Sequence, residues 1–370
     1  MTDTEAMQRA LGLAKRGTGF VSPNPRVGAV ILDENGNIIS EGWHKKYGGP
    51  HAEIEAINNA NRDNFSNCTI VLNLEPCSHY GKTPPCVDAI IQKKFKRVVI
   101  GMTDPNPLVS GQSIQKLRRA GIEVEVGILE NESQQINKAF AKWVVQKEPY
   151  TILKIAQSID GNIALKNGIS QWITSGESRS KVQILRSEVD AILIGRNTAI
   201  ADNPKLTVRD LDLPSPKRII LDSHLSLPPN LEIFTDDNKS NTYIVFDENL
   251  INSKQVKYFA EIGVQSIPIK LNSDNEIDLK KLIKKLGAEF SITSLMVEGG
   301  AKLFSNFVRE NLAHELHLFV APKILGNGLH TFGELNFTQM QEAIKLQVNS
   351  LEKLGEDIYI IATRAIVSND

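Results

Sequence analysis

The sequence predicts an α/β protein that folds as two domains. Short apolar runs typical of buried strands alternate with amphipathic stretches at helical spacing along nearly the whole chain, and this alternation indicates sheets covered by helices on both faces. At 370 residues the chain is long enough for two domains of ordinary size. The charged stretch Lys147-Glu148-Pro149 separates two such patterns, so we expect one domain over residues 1–147 and a second over residues 150–370.

The first domain is predicted to begin with a helix that ends at Gly17-Thr18-Gly19. A hairpin follows, because Asp33-Glu34-Asn35-Gly36 joins two apolar strands. Pro50 and Pro85 each precede a stretch of helical spacing, and proline is tolerated in the first turn of a helix. The predicted strands cover residues 26–32, 37–42, 69–74, 97–102 and 122–128, and the predicted helices cover residues 4–16, 51–60, 87–91, 111–120 and 131–145.

The second domain shows the same alternation of strands and helices. Its first helix is predicted to be capped by Thr174, with Glu177 three residues later completing a capping box. The predicted strands cover residues 150–156, 191–195, 218–221, 242–246, 264–269, 295–298, 315–321 and 357–366, and the predicted helices cover residues 177–187, 254–262, 279–286 and 301–309.

The composition favours small-molecule chemistry in a reducing compartment. A formal net charge of -1 gives no general attraction to nucleic acid. Only three cysteines occur, which argues against a disulfide framework. Since we find neither a signal-peptide pattern nor an apolar run of about 18 residues, we expect a cytoplasmic protein that binds a small molecule, and neither nucleic acid nor membrane.

The most informative stretches are His51-Ala52-Glu53 and the segment from Glu75 to Cys86. One imidazole and two thiolates, from Cys77 and Cys86, would leave one position of a tetrahedral zinc ion open for water. Zinc lowers the pKa of bound water to ~7, from ~9 on the free aqueous ion. Glu53 would then carry protons without binding the metal, as in the known H-x-E and P-C-x-x-C signature of zinc deaminases.

The match to that signature is imperfect, and its separate parts can arise for structural reasons. Eight residues separate Cys77 from Cys86, where the signature has two. An isolated H-x-E occurs often by chance, and a single histidine beside an apolar face is more often structural. A structural zinc site would need a fourth protein ligand, for which His79 is the nearby candidate.

Three turns that follow predicted strands indicate a ligand site in the second domain. They are residues 157–161, residues 195–204 and Val297-Glu298-Gly299-Gly300. Ligands of open α/β sheets lie beyond the carboxyl ends of the strands, and glycines before a helix let a phosphate approach backbone N–H groups. The G-x-G-x-x-G fingerprint is absent. The spacing predicts a phosphate-bearing ligand or cofactor, although plain turns, solvated arginines at positions 186 and 209 and a core anchor at Trp172 remain alternatives.

Over nearly its full length the chain resembles the bifunctional riboflavin-biosynthesis family, in which a zinc pyrimidine deaminase is fused to a pyrimidine reductase. The long loop between the two cysteines, an anomaly for cytidine deaminases in general, is what this family has. The other motifs that carry the resemblance are Asp104-Pro105-Asn106-Pro107, Ser158-Ile159-Asp160-Gly161, Trp172-Ile173-Thr174, Ala201-Asp202-Asn203-Pro204, Leu206-Thr207-Val208-Arg209 and Val297-Glu298-Gly299-Gly300.

The resemblance implies a fold and two activities. We expect a cytidine-deaminase-like three-layer α/β/α domain followed by a dihydrofolate-reductase-like α/β domain, which explains the missing dinucleotide fingerprint. The first would deaminate 2,5-diamino-6-(5-phosphoribosylamino)pyrimidin-4(3H)-one with Zn²⁺. The second would use NADPH to reduce the ribosyl group of the product to ribityl. A homo-oligomer, either dimer or tetramer, is also expected.

The resemblance also implies roles for individual residues. His51, Cys77 and Cys86 would bind zinc, Glu53 would shuttle protons, and Asn24, His44, His79 and Lys82 would hold the deaminase substrate. The residues expected to contact NADPH are Ala156, Trp172, Thr198, Asp202, Ser223, Gly300, Ala301, Lys302, Leu303, Phe304 and Ser305. Those expected to contact the reductase substrate are Lys154, Ser170, Arg186, Leu206, Arg209 and Glu298. Many relatives have lysine where this chain has Asn162, which leaves Lys154 as the nearby cation.

Two other functions are consistent with parts of the sequence. A nucleic-acid base deaminase with an appended domain would share the zinc signature but would need a basic face. A zinc-stabilised, nucleotide-binding regulator without turnover would share the ligands but would release no ammonia.

Overall fold

The computed structural model describes residues 1–78, 84–107, 109–333 and 335–365. The chain divides into two compact units, Met1–Lys147 and Glu148–Asp370. None of the helices within the described residues has the length and apolar character that a membrane span requires.

A five-stranded sheet forms the centre of the first unit. Its spatial order is β2-β1-β3-β4-β5, with β1 antiparallel to both of its neighbours and β3, β4 and β5 parallel to one another. The almost fully buried runs of β1, β3 and β4 explain why apolar residues follow one another there without alternation. The strands are β1 (Gly28–Leu32), β2 (Ile38–Trp43), β3 (Thr69–Leu74), β4 (Arg97–Met102) and β5 (Glu123–Val126).

Helices cover both faces of this sheet. They are α1 (Asp3–Lys15), α2 (Ala52–Asn59), α3 (Cys86–Gln92), α4 (Gln112–Arg119), α5 (Glu130–Ile136) and α6 (Lys138–Gln146). On one face α2, α3 and α4 bury Ala56, Ile90 and Leu117 against the strands. On the other face α1 packs Met7 and Leu11 against Val30 and Val71. The predicted three-layer α/β/α arrangement is therefore confirmed.

The single helix predicted over residues 131–145 is wrong, because two helices, α5 and α6, meet at Asn137. The Asn137 side chain is buried and clamps the backbone that enters β1. Its Oδ1 accepts from the Arg26 N–H at 2.8 Å, and its Nδ2 donates to the Arg26 carbonyl at 3.1 Å. A contact over 111 residues leaves no local signal in the sequence.

A nine-stranded sheet forms the centre of the second unit, in the order β11-β10-β9-β8-β12-β6-β13-β16-β15. The seven strands from β11 to β13 are parallel, whereas β16 is antiparallel to both β13 and β15. The strands are β6 (Tyr150–Ser158), β7 (Asn162–Ala164), β8 (Ala191–Gly195), β9 (Lys217–Leu221), β10 (Thr242–Asp247), β11 (Gln265–Ile269), β12 (Ser294–Glu298), β13 (Glu315–Ala321), β14 (Leu329–His330), β15 (Leu346–Leu354) and β16 (Asp357–Arg364).

Helices again lie on both faces of the sheet. Val182 of the first helix and Phe259 belong to one core, and Leu282 and Phe304 belong to the core on the opposite face. The small pair β7 and β14 forms a separate two-stranded sheet. The helices are α7 (Gly176–Glu188), α8 (Arg196–Asp202), α9 (Glu232–Thr235), α10 (Lys254–Glu261), α11 (Leu279–Phe290) and α12 (Ala301–Arg309).

The second unit differs from the prediction in the unpredicted elements β7, β14, α8 and α9, in the start of α7 and at one edge of the sheet. The N-cap of α7 is Ser175 rather than Thr174: its hydroxyl accepts from the Ser178 N–H at 3.2 Å, while Asp357 accepts from the Ser175 N–H at 2.7 Å. Strand β15 was not predicted either. Eight of its nine residues are exposed, and a bulge between Val348 and Ser350 interrupts the alternation of apolar and polar residues that begins at Leu346.

Candidate active sites

Three side chains that carry zinc-ligand atoms converge in the first unit. His51 is the N-cap of α2, Cys77 follows β3, and Cys86 is the first residue of α3, as the proline-bounded turns predicted. Their ligand atoms all lie within 4.8 Å of one another. His51 Nδ1 is 3.3 Å from the sulfur of Cys86 and 3.6 Å from that of Cys77. One nitrogen and two sulfurs at this spacing fit zinc and leave a coordination position for water.

Hydrogen bonds within this cluster shift the pKa values of its two thiols. The bond between the two thiols lowers the pKa of Cys77 to about 4, with a further contribution from His51, and it raises the pKa of Cys86. The backbone N–H of Cys86, at the start of α3, also donates to the Cys77 sulfur at 3.2 Å. Because zinc binds thiolates, metal binding would release the proton that Cys86 retains.

Glu53 lies beside the cluster in the second position of α2 and is only 3% exposed. Burial raises the pKa of Glu53 to about 7, the charge of Cys77 acts in the same direction, and His51 opposes both. A carboxyl group with a pKa near neutrality can both accept and return a proton. The position of Glu53 and its protonation therefore suit a general acid/base.

A cavity of about 310 Å³ opens onto this cluster and contains two predicted substrate residues, Asn24 and His44. His44 Nδ1 donates to the Pro50 carbonyl at 2.9 Å, since that oxygen can only accept. Its Nε2 therefore accepts from Asn24 Nδ2 at 3.2 Å. Burial lowers the pKa of His44, which favours this neutral form. The other two predicted substrate residues, His79 and Lys82, lie outside the described residues.

The cavity also contains residues to which the sequence analysis gave no role. Asp104 and Asn106 follow the parallel strand β4, and polar residues after such a strand are a signal that could have identified them. Phe140 and Val144, four residues apart on α6, face the same cavity, although the sequence gave no sign that this helix reaches the site. The further lining residues without a predicted role include Tyr47 and Glu75.

Three charged side chains meet in the second unit, all among the predicted reductase residues. Arg186 of α7 binds Glu298 at the end of β12 through two bonds, of 2.9 and 3.0 Å. Lys154 lies opposite Glu298 in the adjacent strand β6, with its Nζ at 3.8 Å from the carboxylate. All three side chains are less than 20% exposed. The alternative of a solvated Arg186 does not fit this burial.

The environment shifts the pKa of all three groups, and that of Arg186 is raised by the charge of Glu298 and the hydrogen bonds to it. Burial alone would raise the pKa of Glu298, but Arg186 and Lys154 outweigh it and lower the value to about 2. Burial lowers the pKa of Lys154, against the charge of Glu298. The lysine is thus a readier proton donor than an exposed one.

Other predicted substrate residues surround this charged group. Ser170 donates to Asp202 at the end of α8, at 3.3 Å, and the charge of Asp202 acts on Lys154. Arg209 is exposed and its charge acts on Glu298. Leu206 is buried and has a positive φ of 53°, so the chain turns sharply before Arg209.

The predicted cofactor residues lie at the ends of several strands and the starts of helices. Ala156 is on β6, Thr198 is on α8, and Ser223 follows β9. Trp172 is 63% exposed, with the Arg179 guanidinium 4.7 Å from its ring centre, so it does not anchor a core.

The segment from Gly300 to Ser305 forms the start of α12 and offers a phosphate its first-turn N–H groups. Phe304 is buried in the core and Ser305 donates to the Gly333 carbonyl at 2.6 Å, so these two side chains are already occupied. Asn162, at the position of the relatives' lysine, is buried and donates to the Gly326 carbonyl at 3.1 Å.

Known families match both halves of the chain. The family "Cytidine and deoxycytidylate deaminase zinc-binding region" matches residues 1–102, and the family "RibD C-terminal domain" matches residues 149–360. The chain is 42% identical over 363 residues to the riboflavin biosynthesis protein RibD of Aquifex aeolicus, covering 98% of each. It is 38% identical to the RibD protein of Actinobacillus pleuropneumoniae, covering 97% of this chain and 95% of the relative.

Solved structures show the same likeness. RibD of Acinetobacter baumannii superimposes with a TM-score of 0.89 and 35% identity, covering 98% of this chain and 99% of the other. The diaminohydroxyphosphoribosylaminopyrimidine deaminase/5-amino-6-(5-phosphoribosylamino)uracil reductase of Thermotoga maritima superimposes with a TM-score of 0.87 and 36% identity, with the same coverage. The dihydrofolate-reductase-like sheet and the deaminase-like layers are thus shared by proteins that combine both units.

We predict that Cys77→Ser will lower the zinc content of the purified protein several-fold, because a hydroxyl is a far weaker zinc ligand than a thiolate. Metal analysis by plasma mass spectrometry measures this. Cys68→Ala is the matched control, since Cys68 is buried in the same unit but lies outside the ligand cluster. Equal zinc content in the two variants would contradict the ligand assignment.

We predict that Glu298→Gln will destabilise the second unit by about 3 kcal/mol at pH 7, because the carboxylate has a folded-state pKa of about 2 against 4.5 in its ordinary state. A lowered pKa stabilises the fold above pH 4.5, and this contribution is lost as the pH falls towards 2. The gap between the two proteins should therefore shrink over that window in denaturant unfolding. Glu289→Gln, at an exposed site, should show no such gap.

Proposed function

Because the chain belongs to the RibD family of bifunctional riboflavin-biosynthesis enzymes, we propose that its two sites act on one pyrimidine in succession. The chain is both a zinc-dependent deaminase and an NADPH-dependent reductase. The observation that carries the proposal is the cluster of His51, Cys77 and Cys86, with Glu53 beside it in a substrate-sized cavity. The family assignment favours this function over a nucleic-acid base deaminase or a non-catalytic regulator.

In the deaminase unit, Glu53 is the residue that we propose to move protons. Zinc, which His51, Cys77 and Cys86 would hold, would supply the Lewis acidity that makes water a nucleophile at neutral pH. Glu53 takes one proton from the attacking water and passes it to the ring nitrogen. It then takes the second proton from the hydroxyl group of the tetrahedral adduct and delivers it to the amino group, which leaves as ammonia. Burial raises the pKa of Glu53 above its ordinary value, which suits a group that accepts and returns protons.

The substrate is held beside Glu53 and the zinc ligands. We propose that Asn24 and His44 bind it through the wall of the cavity, where the neutral His44 and the amide of Asn24 are oriented by their mutual hydrogen bond. Two cations from the segment between the cysteines, His79 and Lys82, are proposed from sequence alone to bind its phosphate.

In the reductase unit, the two arginines have different roles in our proposal. The Arg186 guanidinium already binds Glu298 through Nε and Nη2 and the Thr207 carbonyl through Nη1. It therefore keeps Glu298 ionised and in place, whereas the exposed Arg209 is available for the substrate phosphate. The resemblance had implied direct contact with the substrate for both arginines.

NADPH would supply the hydride that forms the new C–H bond at C1 of the ribosyl group, while the bond between C1 and the ring oxygen breaks. The ring oxygen becomes a hydroxyl group and needs a proton, and the largely buried Lys154 beside Glu298 is our candidate donor. We propose that Leu206 and Ser170 complete the substrate pocket. We also propose that the residues assigned to NADPH from the sequence bind this cofactor. The first-turn N–H groups at the start of α12 suit its pyrophosphate.

We also propose that the chain assembles with a second copy through β15. This strand is the edge of the nine-stranded sheet, and an exposed edge is a template for pairing with another chain. Its apolar residues Leu346, Val348 and Leu351 are 43%, 58% and 67% exposed, which would be unfavourable in water without a partner.

We also propose that the protein works in a reducing compartment such as the cytoplasm, because a disulfide between Cys77 and Cys86 would remove two zinc ligands. Alkylation of the thiols of these cysteines in whole cells would test this proposal.

Glu53→Gln should retain zinc and lower the rate of ammonia release by at least about 100-fold, since the amide cannot shuttle protons. NADPH oxidation with the deaminated substrate should stay at the level of the unaltered protein. Glu55→Gln, two residues further along α2 and paired with Lys45, is the matched control. Ammonia release at the normal rate by the Glu53 variant would rule out the proposed role.

Leu351→Lys should convert the oligomer to a monomer, because a charge in the middle of the edge strand opposes pairing. Light scattering coupled to size-exclusion chromatography measures the mass. Lys353→Glu, on the same strand, changes charge without removing apolar surface and serves as the control. An unchanged mass for the Leu351 variant would place the interface elsewhere.

A further inference from the structure

Glu75 is a buried carboxylate for which the chemistry above has no use. It follows β3 directly, two residues before the zinc ligand Cys77, and is 3% exposed. Within the described part of the chain, no cationic side chain forms an ion pair with it. A buried charge without an ion pair is costly unless hydrogen bonds satisfy it.

Four backbone N–H groups fulfil that requirement. Oε2 accepts from Asp104 at 3.0 Å and from Gly111 at 2.9 Å. Oε1 accepts from Ser113 at 3.0 Å and from Ile114 at 3.4 Å, both in the first turn of α4. A carboxylate is an acceptor only, so its two oxygens match four donors as no neutral side chain can.

These donors belong to a segment that forms one wall of the deaminase cavity. Asp104 and Asn106 both line that cavity, and Asp104 Oδ1 in turn accepts from the Asn106 N–H at 2.8 Å. Cys77 lines the same cavity on the other side of Glu75. The carboxylate therefore joins the segment of a metal ligand to the segment of a pocket wall.

A second contact strengthens the same junction. The Ser113 hydroxyl donates to the Pro76 carbonyl at 2.5 Å. The start of α4 is thus held to residues 75 and 76 from both directions. The segment between β4 and α4 has one end in the sheet and the other end fixed by this junction.

We infer that Glu75 is a positioning residue for deamination, which sets the separation between the zinc ligand Cys77 and the Asp104–Asn106 wall and thereby the fit of the substrate. The inference rests on the deaminase activity described above. It assigns to Glu75 an effect on substrate binding and none on the chemical step, because the carboxylate is used up by backbone donors.

Glutamine is the informative substitution. It has nearly the same shape, but one carboxylate oxygen becomes an NH2 group that can only donate. Whichever way the amide turns, one pair of backbone N–H groups then faces a donor. Either the Asp104 and Gly111 pair or the Ser113 and Ile114 pair loses its acceptor, so the wall moves while the zinc ligands stay intact.

For Glu75→Gln we expect KM for the diaminopyrimidine substrate to rise about tenfold, equal to about 1.4 kcal/mol, with kcat altered less than about threefold. Zinc content and the KM of the reductase for the deaminated substrate should not change. Glu75→Asp, which withdraws both oxygens by one methylene, should raise KM in the same direction. It keeps the inference testable if the glutamine variant folds poorly.

Ser113→Ala is a graded comparison, because it removes one contact of the junction, the bond to Pro76, and leaves all four bonds to the carboxylate. Its KM should stay within about twofold of normal. An unchanged KM in zinc-loaded Glu75 variants, an equal rise in the Ser113 variant, or loss of zinc from both Glu75 variants would each overturn the inference. Failure of the deaminase function itself would appear differently, as no ammonia release by the unaltered protein.

Discussion

In both units several functional side chains lie where a parallel strand ends and the chain leads into a helix, and this constraint organises both sites. Cys77 follows β3 and Asp104 follows β4, just as Glu298 ends β12. At these places the backbone leaves the sheet, and the N–H groups of the next helix have no partner within the helix. Zinc ligands can lie at such positions, and substrate groups and phosphates can bind to them. In each unit the helices packed on both faces of the sheet hold these strand ends in place.

Three buried glutamates show how the surroundings give one functional group different roles. Glu53 is buried beside the thiols, and its pKa rises to about 7, which suits proton transfer. Glu298 is largely buried too, but Arg186 and Lys154 lower its pKa to about 2, which suits a permanent charge. Glu75 is surrounded by backbone N–H groups and serves to hold two segments together. Environment, and not residue type, separates catalysis, electrostatics and positioning.

Differences in surroundings also explain the different roles of the two arginines and the lysine of the reductase unit. A guanidinium whose donors are already used by Glu298 and a carbonyl cannot also bind a phosphate at full strength. Arg209 keeps its side chain exposed. Lys154 lies on the strand next to Glu298 and is held by register, since a shift of one residue would turn its side chain to the opposite face of the sheet.

Local patterns in the chain were enough to predict the two α/β units, most of their strands and the helix starts at which His51 and Cys86 lie, because strand burial and helix starts are local properties. The break at Asn137, the cap at Ser175 and the exposed strand β15 became visible only in the folded chain, since each depends on a partner outside its own segment. The same holds for Glu75, whose four donors come from residues 29 to 39 positions later. Side-chain contacts over such separations depend on how the sheets bring segments together, and no local pattern records them.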